Sequence, residues 1–263
     1  MKIKKTNPLK RRLKTLCFKM FNRLENNGNC NIKTNGESLF IEHLTCYFRN
    51  QPIVFFDVGA NIGKYSKQLK DKAADNSINI DFHLFEPVRS TYNELDKEFG
   101  NESNFILNNV SLSSEKGHAE IYYDKEKSGL ASMYQRNLDY YQSKLDKSET
   151  IVTERADQYI KDKGISKIDF MKIDVEGHEL EVLKGFGDYL NPSFISFIQF
   201  EYGGCNMDSR TTLLDLFNIL SEKGFVLHKI MPSHLEPRTW EPFIENYIYQ
   251  NYVAVSSVVL KDL

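Results

Sequence analysis

Carboxylates that close apolar runs are the first chemically suggestive feature of this sequence. Asp57 stands at the end of Ile53-Val54-Phe55-Phe56 and leads into Val58-Gly59-Ala60-Asn61-Ile62-Gly63. Glu86 follows His83-Leu84-Phe85 and precedes Pro87. Asp174 follows Phe170-Met171-Lys172-Ile173 and opens the run Val175-Glu176-Gly177-His178-Glu179, and Glu201 ends a further apolar run from Phe194. An acid in such a place can accept hydrogen bonds from a ribose diol, hold an ammonium, or take a proton from a hydroxyl.

The neighbours of each acid narrow the choice. Gly59 allows a tight turn and Gly63 a close approach of backbone to ligand, while a helix opening there offers free N–H groups. A dinucleotide turn would carry glycine two positions after the first, where this chain has Asn61. A polar side chain there argues against a pyrophosphate and suits a loop that wraps an amino-acid-like tail. Glu86 falls where a ribose with two free hydroxyls would lie. Asn108-Asn109-Val110-Ser111 closes the next strand, where a side-chain amide could read an adenine edge or simply turn the chain. The expected cofactor contacts are Asp57, Gly59, Asn61, Gly63, Tyr65, Glu86, Asn109 and Ser111.

Around Asp174, four acids, a lysine and a histidine crowd one strand end. Period-two alternation puts Lys172 and Asp174 on one face, and burying such charges is costly unless they pair or serve a ligand. Glu179, in a first helical turn, reads best as a cap. Asp174, Glu176 and His178 are the catalytic candidates, with Glu201 the remaining acid on the same rim.

The elements that must position these groups alternate. Strands are predicted at 53–58, 80–85, 105–110, 168–174, 194–201, 225–229 and 252–260, with an extra one at 119–123; helices are predicted between most of them. Continuous apolar runs of this kind suit a parallel sheet buried on both faces. The last two strands have no helix between them and should pair antiparallel at an edge. Residues 124–150 are the least readable, with a Tyr- and Lys-rich, helix-like run. Ahead of the sheet lie an amphipathic basic helix, a polar linker over 26–36 and a short helix over 37–48, so the expected division is an extension over 1–50 and a catalytic domain over 51–263.

Composition is that of an ordinary globular chain: 41% hydrophobic, 27% charged, net charge −2. Basic residues crowd Met1–Arg23, which has no acid, so the rest is acidic and not built to hold nucleic acid. The four cysteines form no CxxC pair and no Cys/His cluster has zinc spacing, so no metal site is expected and the cysteines suit a reducing compartment. No apolar run reaches ~20 residues, and no cleavable leader is evident, which gives a cytoplasmic expectation.

The runs FFDVGANIGKYS, HLFEP, NNVSLSSEKG and FMKIDVEGHELEVLKG, in this order and spacing, resemble the FkbM family of methyltransferases over roughly Phe55 to Phe200. The resemblance implies a Rossmann-like class I methyltransferase: a doubly wound, seven-stranded, mostly parallel sheet with an antiparallel edge strand. It also implies S-adenosyl-L-methionine as cofactor and O-methylation of a hydroxyl on a sugar, glycan or polysaccharide precursor, lipid-linked or free. One departure is Glu154-Arg155-Ala156-Asp157, where the family shows a Thr-Leu-Asp-Asp-like element and only Asp157 carries over. Two other readings compete. A nicotinamide-dependent sugar oxidoreductase would need a Tyr-x-x-x-Lys pair, which Tyr140 and Lys144 supply in spacing only. A membrane-surface or partner-docking module would use residues 1–23, whose peripheral membrane contact is also compatible with catalysis.

Overall fold

A strand flanked on both sides by parallel neighbours meets helices on both faces, so both sets of its side chains must be apolar. In the computed structural model, which describes residues 7–125, 129–136, 138 and 144–261, β1 (Pro52–Val58) has this position. Helix α1 (Pro8–Leu24) and helix α2 (Glu37–Tyr47) precede it. Then come α3 (Lys64–Asp75), β2 (Asn79–Phe85), α4 (Arg89–Phe99) and β3 (Phe105–Asn108). A small three-stranded sheet follows, of β4 (Ser111–Ser113), β5 (Gly117–Tyr123) and β6 (Lys147–Arg155), in the order β4-β6-β5. The chain returns through α5 (Ala156–Lys163), β7 (Ile168–Ile173), α6 (Glu179–Gly185), β8 (Ile195–Tyr202), α7 (Gly204–Ser209) and α8 (Leu213–Glu222). It ends with β9 (Phe225–Met231), β10 (His234–Pro237) and β11 (Gln250–Ser256).

The main sheet has the order β10-β9-β11-β8-β7-β1-β2-β3. Strands β3, β2, β1, β7 and β8 run parallel, and β11 lies antiparallel between β8 and β9. This is a doubly wound, Rossmann-like α/β fold with an antiparallel edge region. A strand beyond the expected seven, β10, forms a hairpin on β9.

Alternation along the strands divides the core. Phe56, Met171 and Ile173 pack with Val182, Leu183, Leu216 and Leu220 on one face. Phe55, Phe82 and Phe170 pack with Phe40, Ile41, Leu69 and Leu95 on the other. Register then sets the site: Val58 pairs with Phe85 and with Ile173, and Ile173 with Phe200. The residues one step further, Gly59, Glu86, Asp174 and Glu201, therefore share one carboxyl-end rim, the place where open α/β sheets bind ligands.

Three expectations change. The division at residue 50 cuts through one core, because α2 buries Phe40, Ile41 and Leu44 against the sheet. Residues 147–155, inside or beside the unreadable stretch, form β6, whose run Thr150-Ile151-Val152-Thr153 is β-branched throughout. The helix-like run there falls largely outside the described residues, Tyr140 included. The final strand ends at Ser256 rather than 260, and a 3₁₀ turn covers Val259–Lys261. Among the described residues no helix is long and apolar enough to cross a membrane.

Candidate active site

The turn after β1 is held open by two glycines with different tasks. Gly59 has φ +85, and a Cβ there would lie 1.9 Å from the carbonyl oxygen of Asp174, so only glycine lets the two strand ends meet. Gly63, at φ +77, would put a Cβ 2.3 Å from the Phe99 ring and 2.8 Å from Leu95. Its task is to let α3 pack on α4, not to admit a ligand to the backbone; neither cavity described below is lined by it.

Asp57 is fully buried. Its Oδ2 accepts a 2.5 Å hydrogen bond from Ser66, while its Oδ1 has no partner among the described residues. Burial raises its pKa, against the opposing pull of Lys172 and Ser66. A buried oxygen without a donor is costly, and an ammonium brought by a ligand would satisfy it. Glu86 is buried beside this turn, its Oε2 accepting from the Asn61 N–H (3.0 Å) and its Oε1 from the Val88 N–H (2.9 Å). Burial pushes the carboxyl up to about 7, although the two N–H groups favour its charged form.

Two cavities open along this rim. One, of about 120 Å³, is lined by Val58, Gly59, Glu86, Val110, Ser111 and Met133 among others. The second is lined by Glu37, Asp57, Tyr65, Lys172 and Tyr249 among others. Gly59, Asn61, Gly129 and Asp174 line both, so the cavities meet at the end of β7. Tyr65 faces the second cavity with its hydroxyl donating to Gln199 Oε1 at 2.6 Å. Gln199 in turn donates to Glu37 (2.7 Å), which also accepts from Asn35 (2.6 Å).

Lys172 and Asp174 pair at 2.7 Å, as alternation placed them on one face. Burial would lower the Lys172 ammonium, but Asp174 and Asp57 carry it above its ordinary value, so it stays charged. The carboxylates of Asp174, Glu176 and Glu201 bring oxygens within 4.8 Å of one another. Burial first, then this mutual repulsion, raises Glu201 well above the usual carboxylate range. Burial raises Glu176 too, opposed by its ion pair with Arg136, which also approaches Asp208 at 3.5 Å. Glu176 has φ +51 and Gly177 φ +104, and the loop is held by Glu179 Oε1 accepting from the Gly177 N–H at 3.1 Å.

Besides Gly63, two expected site residues are already engaged by neighbouring groups. Asn109 donates to the carbonyls of Glu86 and Pro87 (both 2.9 Å) and accepts from Arg89, so its amide ties strand ends together and lines neither cavity. His178 lies in the wall of the first cavity, but Ser113 engages its Nε2 (3.0 Å) and Tyr134 its Nδ1 (3.1 Å). Burial lowers its pKa to about 4. With both nitrogens in use it is a fixed strut and not the near-neutral base that its unperturbed pKa suggested. Asp157, the carried-over acid, pairs with Arg155 at 2.7 Å away from the rim. The residues that spacing missed are Arg136, Tyr134, Glu37 and Tyr249. They reach the rim from an irregular segment, α2 and the approach to β11, and local pattern carries no such information.

The Methyltransferase FkbM domain family matches residues 57–227. Hexuronic acid methyltransferase AglP of Haloferax volcanii is 28% identical over 171 residues, 64% of this chain and 64% of that protein. Methyltransferase sdnD of Sordaria araneosa is 29% identical over 180 residues, 57% of this chain and 66% of that protein. The chain thus spans just under two thirds of either relative. A solved fibrillarin pre-rRNA processing protein of Methanococcus jannaschii aligns with a TM-score of 0.44 at 13% identity, over 78% of this chain and 66% of that one. The chain belongs to the FkbM methyltransferase family: it carries a methyltransferase domain whose cofactor is S-adenosylmethionine.

Proposed function

We propose that this protein is an S-adenosylmethionine-dependent O-methyltransferase whose acceptor is a hydroxyl of a sugar, glycan or polysaccharide precursor, free or lipid-linked, and that it works in the cytoplasm. The observation that carries the reading is the meeting of two cavities at Asp174. Glu86 and Ser111 suit the nucleoside half of the donor in the first cavity. Asp57, with its unpartnered oxygen, and Tyr65 suit its amino-acid tail in the second. When bound, the donor supplies a methyl group on a positively charged sulfur, open to in-line attack.

Asp174 is the base in this reading. Its pairing with Lys172 keeps it oriented, and a hydroxyl hydrogen-bonded to it would lose its proton as the new C–O bond forms. Glu176 and Glu201 flank it and can hold neighbouring hydroxyls of the acceptor. Positioning and exclusion of water would account for much of the rate. The sugar class is supported by the hexuronic acid named for the Haloferax volcanii relative, at 28% identity.

The test is transfer of labelled methyl from the donor to a panel of sugar nucleotides and lipid-linked sugars. Asp174→Asn should lower turnover about 10²–10⁴-fold while S-adenosylhomocysteine still binds. Near-wild-type turnover in that variant would move the base elsewhere, and labelling of non-sugar acceptors alone would refute the substrate class.

A further inference from the structure

Helix α1 has a composition unlike the rest of the chain. Within Pro8–Leu24 lie six basic residues, Lys10, Arg11, Arg12, Lys14, Lys19 and Arg23, and no acid. Met1–Arg23 as a whole carries nine of the 34 basic residues and none of the 36 acidic ones, which leaves 25 against 36 elsewhere.

At 100° per residue, Leu9, Leu13, Leu16, Met20 and Leu24 fall on one stripe about 80° wide. Arg12, Lys19 and Arg23 flank it on one side and Lys10 and Lys14 on the other. The structure leaves that stripe bare: its five residues are 55–75% exposed, and no residue of the helix is buried. Only the root is fixed. Phe21 meets Phe243 edge-on at 6.0 Å, and Glu25, just past the helix, accepts from Arg238 (2.8 Å) and Lys229 (3.2 Å). A stripe of this kind unpaired in water exposes apolar area that another surface must cover.

We infer that α1 is a docking helix for an anionic lipid bilayer, lying in the interface with its leucine stripe among the acyl chains. Charge selects this occupant. Five of the six basic residues, all but Arg11, border the stripe on both sides, where lipid phosphates would lie, and the helix is about 25 Å long. A second copy packed stripe to stripe would set those like charges against each other. The remainder, with its acidic excess, would be repelled by the same surface, so the helix also fixes which side faces the membrane. The chain leaving the helix supplies Ile32 and Glu37 to the second cavity, so docking would bear on the wall that, in the function proposed above, faces the donor's amino-acid tail.

The test is co-sedimentation of the full-length protein with vesicles of mixed phosphatidylglycerol and phosphatidylcholine, and with pure phosphatidylcholine. The mixed vesicles should bind it, the neutral ones far less, and raised salt should release it. Leu13→Glu with Leu16→Glu should weaken binding by at least about tenfold. Both sites are exposed, so the thermal shift given by S-adenosylhomocysteine should not change, which separates loss of docking from loss of fold. Equal binding by wild type and variant, or none to the anionic vesicles, would overturn the inference. So would a lipid-free dimer in sedimentation equilibrium that the variant dissociates, since the stripe would then belong to a second copy.

Discussion

Replacing Glu86 by Gln separates the proposed ribose anchor from a merely structural acid. Each carboxylate oxygen accepts one backbone N–H, from Asn61 and from Val88. A Gln has one oxygen, so its NH₂ must face one of those donors, and either the glycine turn or the start of α4 loses its tie. A ligand hydroxyl that donated to the lost oxygen loses its partner as well. A hydrogen bond to a charged group contributes about 1.5–3 kcal/mol, which sets the expected loss of S-adenosylhomocysteine affinity at roughly 10- to 150-fold.

The pH dependence adds an independent check. With the carboxyl at about 7 in the free protein, the ionised fraction rises from about 9% at pH 6 to about 91% at pH 8. If the diol requires the carboxylate, wild-type affinity should rise about tenfold over that range, and in Glu86→Gln it should be flat. For stability the sign is reversed. A carboxyl raised from 4.5 to about 7 holds a proton that the unfolded chain releases. Its contribution is therefore intact below pH 4.5 and is lost as pH rises to about 7, by about 3 kcal/mol. The free variant should lose less stability between pH 5 and 8 than the wild type. Calorimetric titration at pH 6, 7 and 8, with urea unfolding at the same values, measures both effects. An affinity equal to wild type, with the same pH slope, would refute the assignment.

Gly63→Ala should destabilise the protein by about 1–3 kcal/mol in urea unfolding through the clash with Phe99, with donor affinity of the folded fraction unchanged. His178→Ala should lower the melting temperature by removing the ties to Ser113 and Tyr134. It should leave the near-neutral part of the pH–rate profile in place, because this imidazole titrates near 4. Deleting residues 1–23 should remove the helical signal of α1 but preserve cooperative unfolding and donor binding. Deleting residues 1–50 should abolish folding, since Phe40, Ile41 and Leu44 leave the core at about 2–5 kcal/mol each.

The main sheet was legible because its central strands are buried on both faces. Short, mostly apolar runs such as Ile53–Val58 and Ile168–Ile173 are too short for a buried helix, and a turn glycine or an acid marks where each stops. Strand β6 was missed although its β-branched centre is a strand signal, because no clear turn separates it from the run before. Helix α2 was read as a helix but set outside the domain. Its buried face carries the same apolar residues whether it packs on this sheet or elsewhere.

The sequence alone determined the alternation of strands and helices, the carboxyl-end position of Gly59, Glu86, Asp174 and Glu201, and the sharing of a face by Lys172 and Asp174. These follow from local periodicity, which a backbone of fixed geometry converts directly into direction. Tertiary structure alone decided which groups are already engaged. Asn109 is tied to the carbonyls after β2, both nitrogens of His178 are occupied, and Gly63 yields to Phe99. It also brought Glu37 and Arg136 to the rim from segments distant in the chain. A side chain's freedom to act depends on the partners that packing sets around it, and those partners come from elements whose spacing in sequence carries no record of their meeting.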